Sequence, residues 1–547
     1  MLNEFLNACN NNTVDIIENL YKKNPNFNLS INDDELLGKA CVYGHLQVVE
    51  WLYAHFSDIN NDNRNYTAIK NACFSGHLQI VDWLYARFPN IDINANYEEL
   101  FVFTCAEGHL PIVEWLCHHS SNIDVSTNNN EAFVYACTNG HLHIVEWLCR
   151  QFPNIDVSNN DDQAFISVCA SGNLSIIEWL YLHFPNISNN DKALKCGFSV
   201  ACSNGHLPVA KWLYNKNHDC IYNTIYNTFI NTCSNGHLPI VKWLYESCSQ
   251  IDVTEDKYAA FVNTCGHGHL PVAQWLYDHC LNLINTTDMT EAFTTAMTEA
   301  FISACSTGHL TIAEWLYEKN PAINIHTNDS EAFLHTCING HFRIAKWLYY
   351  QNSQINFNTR NGCALKSACI YNDLAFIEWL LEKGNFDQRF YYATFISECS
   401  RGHLQIAAYL YNNKQNFNDY TKHEAFINTC ANGYLPIVEW LLKTHIHIDI
   451  QHRGFISACA NGHLEIVDFL HNQNLDLKVE ILEEAFIDAC MNDHLPIVEW
   501  LYENFPHIDI DCKKGKAFRY ANNDDNLEII SWFAKVNSEK YGKYAKR

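Results

Sequence analysis

The segment Cys265-Gly266-His267-Gly268-His269 has the residue types of half a zinc site. Structural zinc needs four cysteine or histidine ligands at suitable spacing. Cysteine, glycine and histidine recur at the equivalent positions along the whole chain, so only His267 is particular to this segment. We therefore expect no metal here. The sequence also shows no nucleophile beside a base, no glycine-rich phosphate loop and no His-Glu-x-x-His motif, so we expect no catalytic residue, no cofactor and no enzyme activity.

The cysteines are numerous, and most of them share one position. Sixteen of the 24 fall at equivalent points of a recurring segment, from Cys9 and Cys41 to Cys490. Equivalent positions in stacked helices lie about 8–10 Å apart, farther than a disulfide allows. We expect these side chains to be small buried hydrophobes. The eight remaining cysteines, such as Cys117 and Cys149, have no explanation in the pattern.

Histidine and tryptophan follow the same period. Twelve histidines begin equivalent segments, and all fourteen tryptophans, from Trp51 to Trp532, share one position. The histidines could sense pH, but a polar residue that begins a helix after a glycine is more often a hydrogen-bonded structural residue. The tryptophans could stack on a ligand. Their helical spacing beside Leu52 and its equivalents favours packing between repeats.

Composition limits the classes of function. The chain has 547 residues, 48% of them hydrophobic and 18% charged, and a formal net charge of -26. This is the composition of a folded chain, and its negative field repels nucleic acid and anionic lipid. No apolar run reaches the ~18 residues of a membrane helix, and residues 1–5 show no signal-peptide pattern. The many cysteines then indicate a reducing compartment, so we expect a cytoplasmic protein.

An internal repeat organises the chain. The segment from Ala40 to Tyr53 recurs seventeen times, mostly at steps of 31 to 33 residues. The position of Leu46 falls at residues 14, 46, 78, 110, 142, 174, 207, 238, 270, 310, 342, 374, 404, 435, 464, 495 and 527. A period of this length is typical of solenoids, in which each unit buries its apolar face only by stacking on its neighbours.

Each unit is predicted to be a helical hairpin. In residues 131–162, the spacing of Phe133, Ala136 and Cys137 predicts a first helix. Gly140 is placed to end it in a left-handed conformation, and a second helix begins at Leu142. The prolines agree with this interpretation, because six of the twelve lie in the first turn of a second helix and six lie just beyond its end.

The run Gly140-His141-Leu142-His143-Ile144-Val145-Glu146-Trp147-Leu148, preceded by Ala136-Cys137, resembles the ankyrin repeat. The resemblance covers essentially the whole chain. It implies an all-α ankyrin-repeat solenoid of about seventeen stacked helix-turn-helix units. The family's Thr-Pro-Leu-His start is replaced by Glu-Ala-Phe and its Asp-Gly turn by asparagine-rich stretches such as residues 128–130, so we expect short or irregular loops in place of regular β-hairpin fingers. The motif set also resembles ankyrin proteins of giant DNA viruses that infect amoebae.

The array is expected to be continuous over residues 1–547. Its expected parts are an N-terminal capping unit (1–30), a first run of repeats (31–280), a connector (281–303), a second run (304–512) and a C-terminal capping unit with a short basic tail (513–547). The connector contains a tandem duplication, since Met289-Thr290-Glu291-Ala292-Phe293 recurs at 297–301. It could be a hinge or a binding loop, and a tolerated surface insertion is the favoured interpretation.

The resemblance implies that the residue directly before the Ala-Ala pair of each ankyrin repeat faces the concave groove. We call these the groove positions. Most of them are small and polar here. The candidate partner-binding residues are Phe103, Tyr135, Ser167, Val200, Asn231, Asn263 and His335. Phe103 and Tyr135 have the composition of a binding hot spot. The alternative, which the sequence slightly favours, is that Phe103 packs back between helices.

The leading hypothesis is a monomeric, cytoplasmic protein-binding scaffold, with the host cytosol as its compartment if the chain is viral. A ubiquitin-ligase substrate adaptor is an alternative, although the chain shows no F-box or other ligase-recruiting module. A passive structural component of a virion is a third possibility. The sequence does not identify the partner protein, and it favours neither nucleic acid nor membrane as a partner.

Overall fold

The structure is a computed structural model, and it describes the following residues: 7–8, 11–23, 33–55, 62–88, 97–119, 130–153, 155, 159–248, 251–283, 287–321, 323, 325, 327–413, 417–443, 448–473, 476–523, 526–542 and 544. Within these ranges the regular structure is helical, with no β-strand. The predicted all-α repeat fold is thereby confirmed. The short or irregular loops expected in place of β-hairpin fingers fall largely outside the described residues, for example at 56–61, 89–96 and 120–129. The chain divides into two compact units, Met1–Ala296 and Met297–Arg547.

Unit 1 consists of helical hairpins, each with a first and a second helix. Its helices are Val14–Lys23; Asp33–Val42 and Leu46–His55; Asp62–Phe74 and Leu78–Arg87; Tyr97–Glu107 and Leu110–His119; Glu131–Thr138 and Leu142–Gln151; Asn159–Ser171 and Leu174–His183; Asp191–Ser203 and Leu207–Ile221; Ile225–Ser234 and Leu238–Ser247; and Glu255–Gly266 and Leu270–Leu283. A short helix, Pro185–Ser188, and a 3₁₀ turn, Tyr222–Thr224, lie in two of the connections. The sequence pattern did not predict either of these.

Unit 2 continues the same hairpins. The helix Thr287–Thr307 crosses the division between the units and is followed by Leu310–Lys319. The remaining helices are Thr327–Ile338 and Phe342–Gln351; Thr359–Ile370 and Leu374–Lys383; Gln388–Ser400 and Leu404–Asn413; Asp419–Asn432 and Leu435–Leu442; Ile448–Ala460 and Leu464–Asn472; Val479–Met491 and Leu495–Asn504; Cys512–Asn523 and Leu527–Val536; and Ser538–Tyr541.

The hairpin predicted for residues 131–162 forms as expected. The first helix covers Glu131–Thr138 and the second covers Leu142–Gln151. Gly140 lies between them with φ of 89°, the left-handed conformation that ends a helix. The following His141 amide bonds the carbonyl oxygen of Ala136 at 2.9 Å, which closes the helix end. A glycine with positive φ occupies this position in most repeats.

The core of each unit runs along the stack of hairpins. Within each unit, the first helices of successive repeats pack against one another, and each also packs against its own second helix. The phenylalanine at the position of Phe133 is fully buried in repeat after repeat, as Phe165, Phe261, Phe333 and Phe426 illustrate. Among the described residues, no helix is long and apolar enough to cross a membrane.

The tandem duplication is not a surface loop, so the favoured sequence interpretation was wrong. Residues Thr287–Thr307 form one 21-residue helix. The eight-residue offset is about two helical turns, so Phe293 and Phe301 fall on nearly the same side and both are buried. In unit 1, the Phe293 ring lies 5.1 Å from Tyr258 and 5.7 Å from Tyr277, between ring centroids. Each copy therefore supplies a core aromatic ring.

The C-terminal end of unit 2 is covered by its own tail. Tyr541 is buried, with its ring centroid 4.3 Å from that of Phe518 and 5.2 Å from that of Phe533. Its hydroxyl donates a hydrogen bond to Asp511, and Lys540 forms an ion pair with the same carboxylate at 2.6 Å. Together these contacts cover the last repeat. The basic residues Lys543, Lys546 and Arg547 lie outside the described residues.

Candidate partner-binding site

The histidines of the repeat motif join one repeat to the next. His206 Nε2 lies 2.8 Å from the carbonyl oxygen of Ala170, in the preceding repeat. The same contact is made by His77 to Val42, His109 to Phe74, His141 to Ala106, His463 to Ala431 and His494 to Ala460. A carbonyl oxygen only accepts hydrogen bonds, so Nε2 is the donor. The prediction that these histidines are hydrogen-bonded structural residues is confirmed at these positions.

The tryptophans also pack between repeats. In unit 1, the Tyr245 ring meets the Trp275 ring of the next repeat edge to face, with centroids 5.2 Å apart. Equivalent pairs, at 5.0–5.9 Å, are Tyr21–Trp51, Tyr85–Trp115, Tyr181–Trp212, Tyr214–Trp243, Tyr317–Trp347, Tyr349–Trp379, Tyr411–Trp440 and Tyr502–Trp532. This geometry is a favoured one for aromatic pairs. Inter-repeat packing is therefore confirmed as the role of these tryptophans.

The cysteines at the shared repeat position, from Cys41 to Cys490, are buried and form no disulfide. Burial raises the pKa of the Cys41 and Cys73 thiols to about 12, because the thiolate loses its hydration. They are therefore inert packing groups, as expected. Two of the eight cysteines left unexplained by the sequence, Cys117 and Cys149, follow a Trp-Leu pair where most repeats have the tyrosine of the aromatic pairs. Cys9 lies outside the described residues.

The zinc-like segment has the same structure as the equivalent segments of other repeats. Cys265 is buried in the helix Glu255–Gly266, and His269 has its ring against Gly236 of the preceding repeat. His267 Nδ1 lies 2.8 Å from the carbonyl oxygen of Asn263. Across the part of the chain that the structure describes, no three His, Cys, Asp or Glu side chains are grouped as metal ligands would be.

Six of the seven candidate groove residues lie on successive first helices of unit 1. Phe103, Tyr135, Asn231 and Asn263 are exposed, while Ser167 and Val200 are half-buried. His335 lies in unit 2, where it is half-buried and its Nε2 is 3.8 Å from a carboxylate oxygen of Glu331. The structure thus brings the first six residues onto one stack of helices and leaves His335 in the other unit.

Phe103 is a surface residue, with 45% of its side chain exposed. Its ring packs sideways on Phe74 of the preceding first helix, with centroids 5.1 Å apart. The alternative, that Phe103 packs back between helices, does not describe this geometry. Lys70 lies over the same Phe74 ring, with its ammonium 5.5 Å from the ring centroid, and forms an ion pair with Glu99.

The surroundings of these two rings are acidic. Glu99 and Glu107 are exposed one helical turn before and one turn after Phe103 on the same helix. Tyr135 is 44% exposed, and Glu131 lies one turn before it. The surface therefore combines two accessible aromatic rings with carboxylates.

One buried carboxylate was missed by the sequence analysis. Glu398 stands at a repeat position that otherwise holds mostly alanine or threonine. Its side chain is fully buried. His403 Nδ1 lies 2.7 Å from one of its oxygens, and Arg401 Nη1 lies 3.4 Å from the other. A glutamate at a position that holds alanine or threonine in most repeats is visible in the sequence and could have identified this residue.

A second surface was also missed. Ile338, Ile370 and Tyr371 are exposed apolar residues at the turns between first and second helices of two adjacent repeats in unit 2. In most other repeats, the position of Ile338 holds alanine, serine, threonine or glycine. Comparison of the turn positions, rather than of the groove positions alone, would have found these residues.

These observations define an all-helical hairpin-repeat protein whose recurring residues join its repeats and whose irregular positions face solvent. The chain belongs to the ankyrin-repeat family: the family model for ankyrin repeats (3 copies) matches residues 5–97, 101–193, 229–329 and 301–391, more than half of the sequence. The family is one of protein–protein interaction scaffolds that are typically non-catalytic.

No curated protein matches the chain. Among solved structures, it aligns with the pentatricopeptide repeat protein PPR10 from maize at 9% identity over 96% of both chains, with a TM-score of 0.24. A score this low carries no argument about fold or function.

Proposed function

We propose that this protein is a non-catalytic scaffold that binds partner proteins on the concave face of the ankyrin array, with Phe103 and Tyr135 as the anchors. The observation that carries the proposal is the exposure of both rings on consecutive first helices, at positions that are small and polar in most repeats. A few accessible aromatic rings commonly contribute most of the energy of an interface.

The charge around the anchors indicates what the partner presents. Glu107 and Glu131 flank the two rings, Glu99 nearby is paired with Lys70, and the chain as a whole has a formal net charge of -26. An acidic surface attracts a basic partner and raises its association rate. We propose a partner segment in which an apolar side chain is flanked by lysine or arginine.

We place this activity in the cytosol, and in the cytosol of an amoebal host if the chain is viral. The compartment is supported by the abundance of free cysteines. The viral origin rests on the resemblance of the repeat motifs alone. Because the recurring histidines and tryptophans are engaged between repeats, binding rather than catalysis is the activity that the remaining surface supports.

The test is affinity capture with the full chain and with the Phe103→Ala/Tyr135→Ala variant, from amoebal cytosol. Wild type is expected to retain a partner that the variant loses, with a fall in affinity of roughly 30-fold or more, the loss typical of a hot spot. The control is Tyr222→Ala, which removes an equally exposed aromatic ring outside the groove positions.

The same experiment separates the proposal from its competitors. Equal capture by both forms would move the binding site away from Phe103 and Tyr135. Failure of the wild type to capture any partner would contradict the scaffold and favour a structural component, which abundance in purified particles would then reveal. Ubiquitin-ligase subunits among the captured proteins would favour the adaptor. Thermal unfolding of the variant must stay close to wild type, because a large loss of stability would mean that the two rings belong to the core.

A further inference from the structure

Four residues form a continuous apolar surface at the helix–helix turns of two adjacent repeats in unit 2, which we call the turn patch: Ile338, Phe342, Ile370 and Tyr371. Ile338 is 40% exposed, Ile370 is 62% exposed and Tyr371 is 50% exposed. The Tyr371 hydroxyl donates to the carbonyl oxygen of Ile338 at 3.1 Å, and its ring meets that of Phe342 at 5.7 Å between centroids. These contacts fix the residues as one surface.

The patch is specialised relative to the rest of the array. Phe342 stands at the repeat position of Leu46, which holds leucine in nearly every repeat and an aromatic residue only here. Its ring stacks on Phe376 at 4.2 Å, and Phe376 likewise replaces the isoleucine or valine of other repeats. Neither ring is needed for the hairpin fold, since the other repeats fold with aliphatic residues at these positions. Phe376 is buried and Phe342 is half-buried above it, so the stacked pair supports the exposed isoleucines from beneath.

The segment that carries the patch is basic in an acidic chain, and Asp373, which directly follows it, caps the next helix by accepting from the Phe376 amide. Residues 332–372 contain four lysines and arginines and no aspartate or glutamate, in a protein of net charge -26. Lys346 lies one helical turn after Phe342, with its ammonium 5.8 Å from the Phe376 ring centroid. Lys366 lies one turn before Ile370 on the same helix, and both are exposed.

Among the described residues, the cations nearest the patch have no carboxylate partner. Arg343 directly follows Phe342 and is exposed. Within the described ranges, none of Arg343, Lys346 and Lys366 lies within ion-pairing distance of a carboxylate, whereas nearby pairs such as Lys383–Glu382 do form. Unpaired cations beside exposed apolar groups favour a ligand that brings both carboxylates and apolar side chains.

We propose that the turn patch is a docking site for an acidic peptide segment that carries aromatic or aliphatic anchors. The anchors would cover Ile338, Ile370 and Tyr371, and the carboxylates of the peptide would pair with Arg343 and Lys366. An anionic membrane could present similar charge, but the whole chain is strongly acidic and such an extended surface would be repelled. This site is independent of the groove around Phe103.

The test begins with a phage-displayed library of random 12-residue peptides, selected on the full-length chain. The strongest peptide is then synthesised with a fluorescent label and measured by anisotropy at low and high salt. Enriched peptides are expected to combine aspartate or glutamate with at least two apolar residues. Their affinity is expected to fall with added salt, because the cations are at the surface.

The patch variant is Ile370→Ser/Tyr371→Asn, and it should weaken binding by roughly tenfold or more. The serine–asparagine pair occurs naturally at residues 203–204 and 234–235. There Asn204 and Asn235 donate to carbonyl oxygens of the preceding repeat at 2.9 and 2.8 Å, as Tyr371 does in this patch. The variant therefore keeps the inter-repeat hydrogen bond and removes the apolar surface.

The matched control, Val42→Ser/Tyr43→Asn, makes the same chemical change at a turn in unit 1 and should leave affinity unchanged. Arg343→Gln/Lys366→Gln should weaken binding and flatten its dependence on salt. Absence of enrichment, enrichment of neutral or basic peptides, or full binding by the patch variant would overturn the proposal. So would binding of the chain to phosphatidylserine vesicles with loss of the peptide, which would identify a membrane surface instead.

Discussion

The contact between the turn glycine of one repeat and the residue that begins the second helix of the next repeat gives a sharp test of the stacking. Gly140 and Gly172 have nearly the same backbone, with φ of 89° and 82°. They differ in the neighbour that an added methyl group would meet. At Gly140 the neighbour is the Asn173 amide at 3.1 Å, and at Gly172 it is the His206 ring at 2.3 Å. Substitution by alanine therefore separates backbone strain from collision.

The expected costs follow from these distances. An alanine in the left-handed conformation costs about 1–2 kcal/mol at either position. Gly140→Ala adds little, because the amide of Asn173 needs to move by only a few tenths of an ångström. Gly172→Ala displaces the His206 ring and breaks its hydrogen bond to Ala170, which adds about 1 kcal/mol and lost packing. We expect a total of about 2–4 kcal/mol for Gly172→Ala.

The assay is hydrogen exchange measured by mass spectrometry, since a long repeat array does not unfold in one step. Protection of the helices on either side of the substitution gives the local free energy of opening. His206→Asn should rescue Gly172→Ala to the level of Gly140→Ala, because Asn173 already makes the equivalent bond to Thr138 at 2.7 Å. Equal costs for the two alanines, or no rescue, would refute the proposed contact.

Three further predictions concern packing groups. Tyr245→Ala should destabilise its interface by about 1–2 kcal/mol, because the ring packs against Trp275; local hydrogen exchange measures this. Glu398→Ala should leave stability unchanged or raise it, whereas Arg401→Ala/His403→Ala should lower it by about 3–5 kcal/mol, because it removes both partners of a buried carboxylate; urea unfolding of the surrounding repeats tests both. Since Cys41 is buried and its thiol pKa is raised by that burial, its alkylation at pH 8 should be far slower in the native protein than in urea; mass spectrometry of the labelled peptide measures the two rates.

Most of the fold could be predicted from the repeat period. Gly140, Leu142 and the proline positions predicted where helices end and begin, because capping and steric rules act over a few residues. The period also predicted the packing of the tryptophans between repeats, although it could not show that most of them meet a tyrosine of the preceding repeat edge to face. The duplicated segment at 289–301 was misinterpreted, because loop-length arguments ignored that both of its copies keep a helical, phenylalanine-burying sequence.

The candidate site was harder to predict, because the exposure of a side chain depends on how the helices pack in three dimensions. The groove positions came from resemblance, and nothing in the sequence could show that Phe103 leans on Phe74 and still leaves almost half of its surface accessible. The turn patch was missed for a different reason. Ile338 and Tyr371 lie 33 residues apart, and only the stacked structure shows that the tyrosine hydroxyl reaches the isoleucine carbonyl.

The recurring residues also indicate where function cannot lie. A histidine whose ring bonds a neighbouring repeat, as His206 does, is unavailable to a substrate, and a tryptophan packed on tyrosine is unavailable to a ligand. Equivalent positions of successive repeats mostly hold the same residue and make the same contact between repeats. Recognition of a partner therefore depends on positions where a repeat departs from that shared residue. Two of the exposed departures differ in the charge around them: the aromatic pair lies near glutamates in unit 1, and the apolar turns lie near cations without carboxylate partners in unit 2. A single partner chemistry would not suit both surfaces, so a variant of one surface should leave the ligands of the other unaffected.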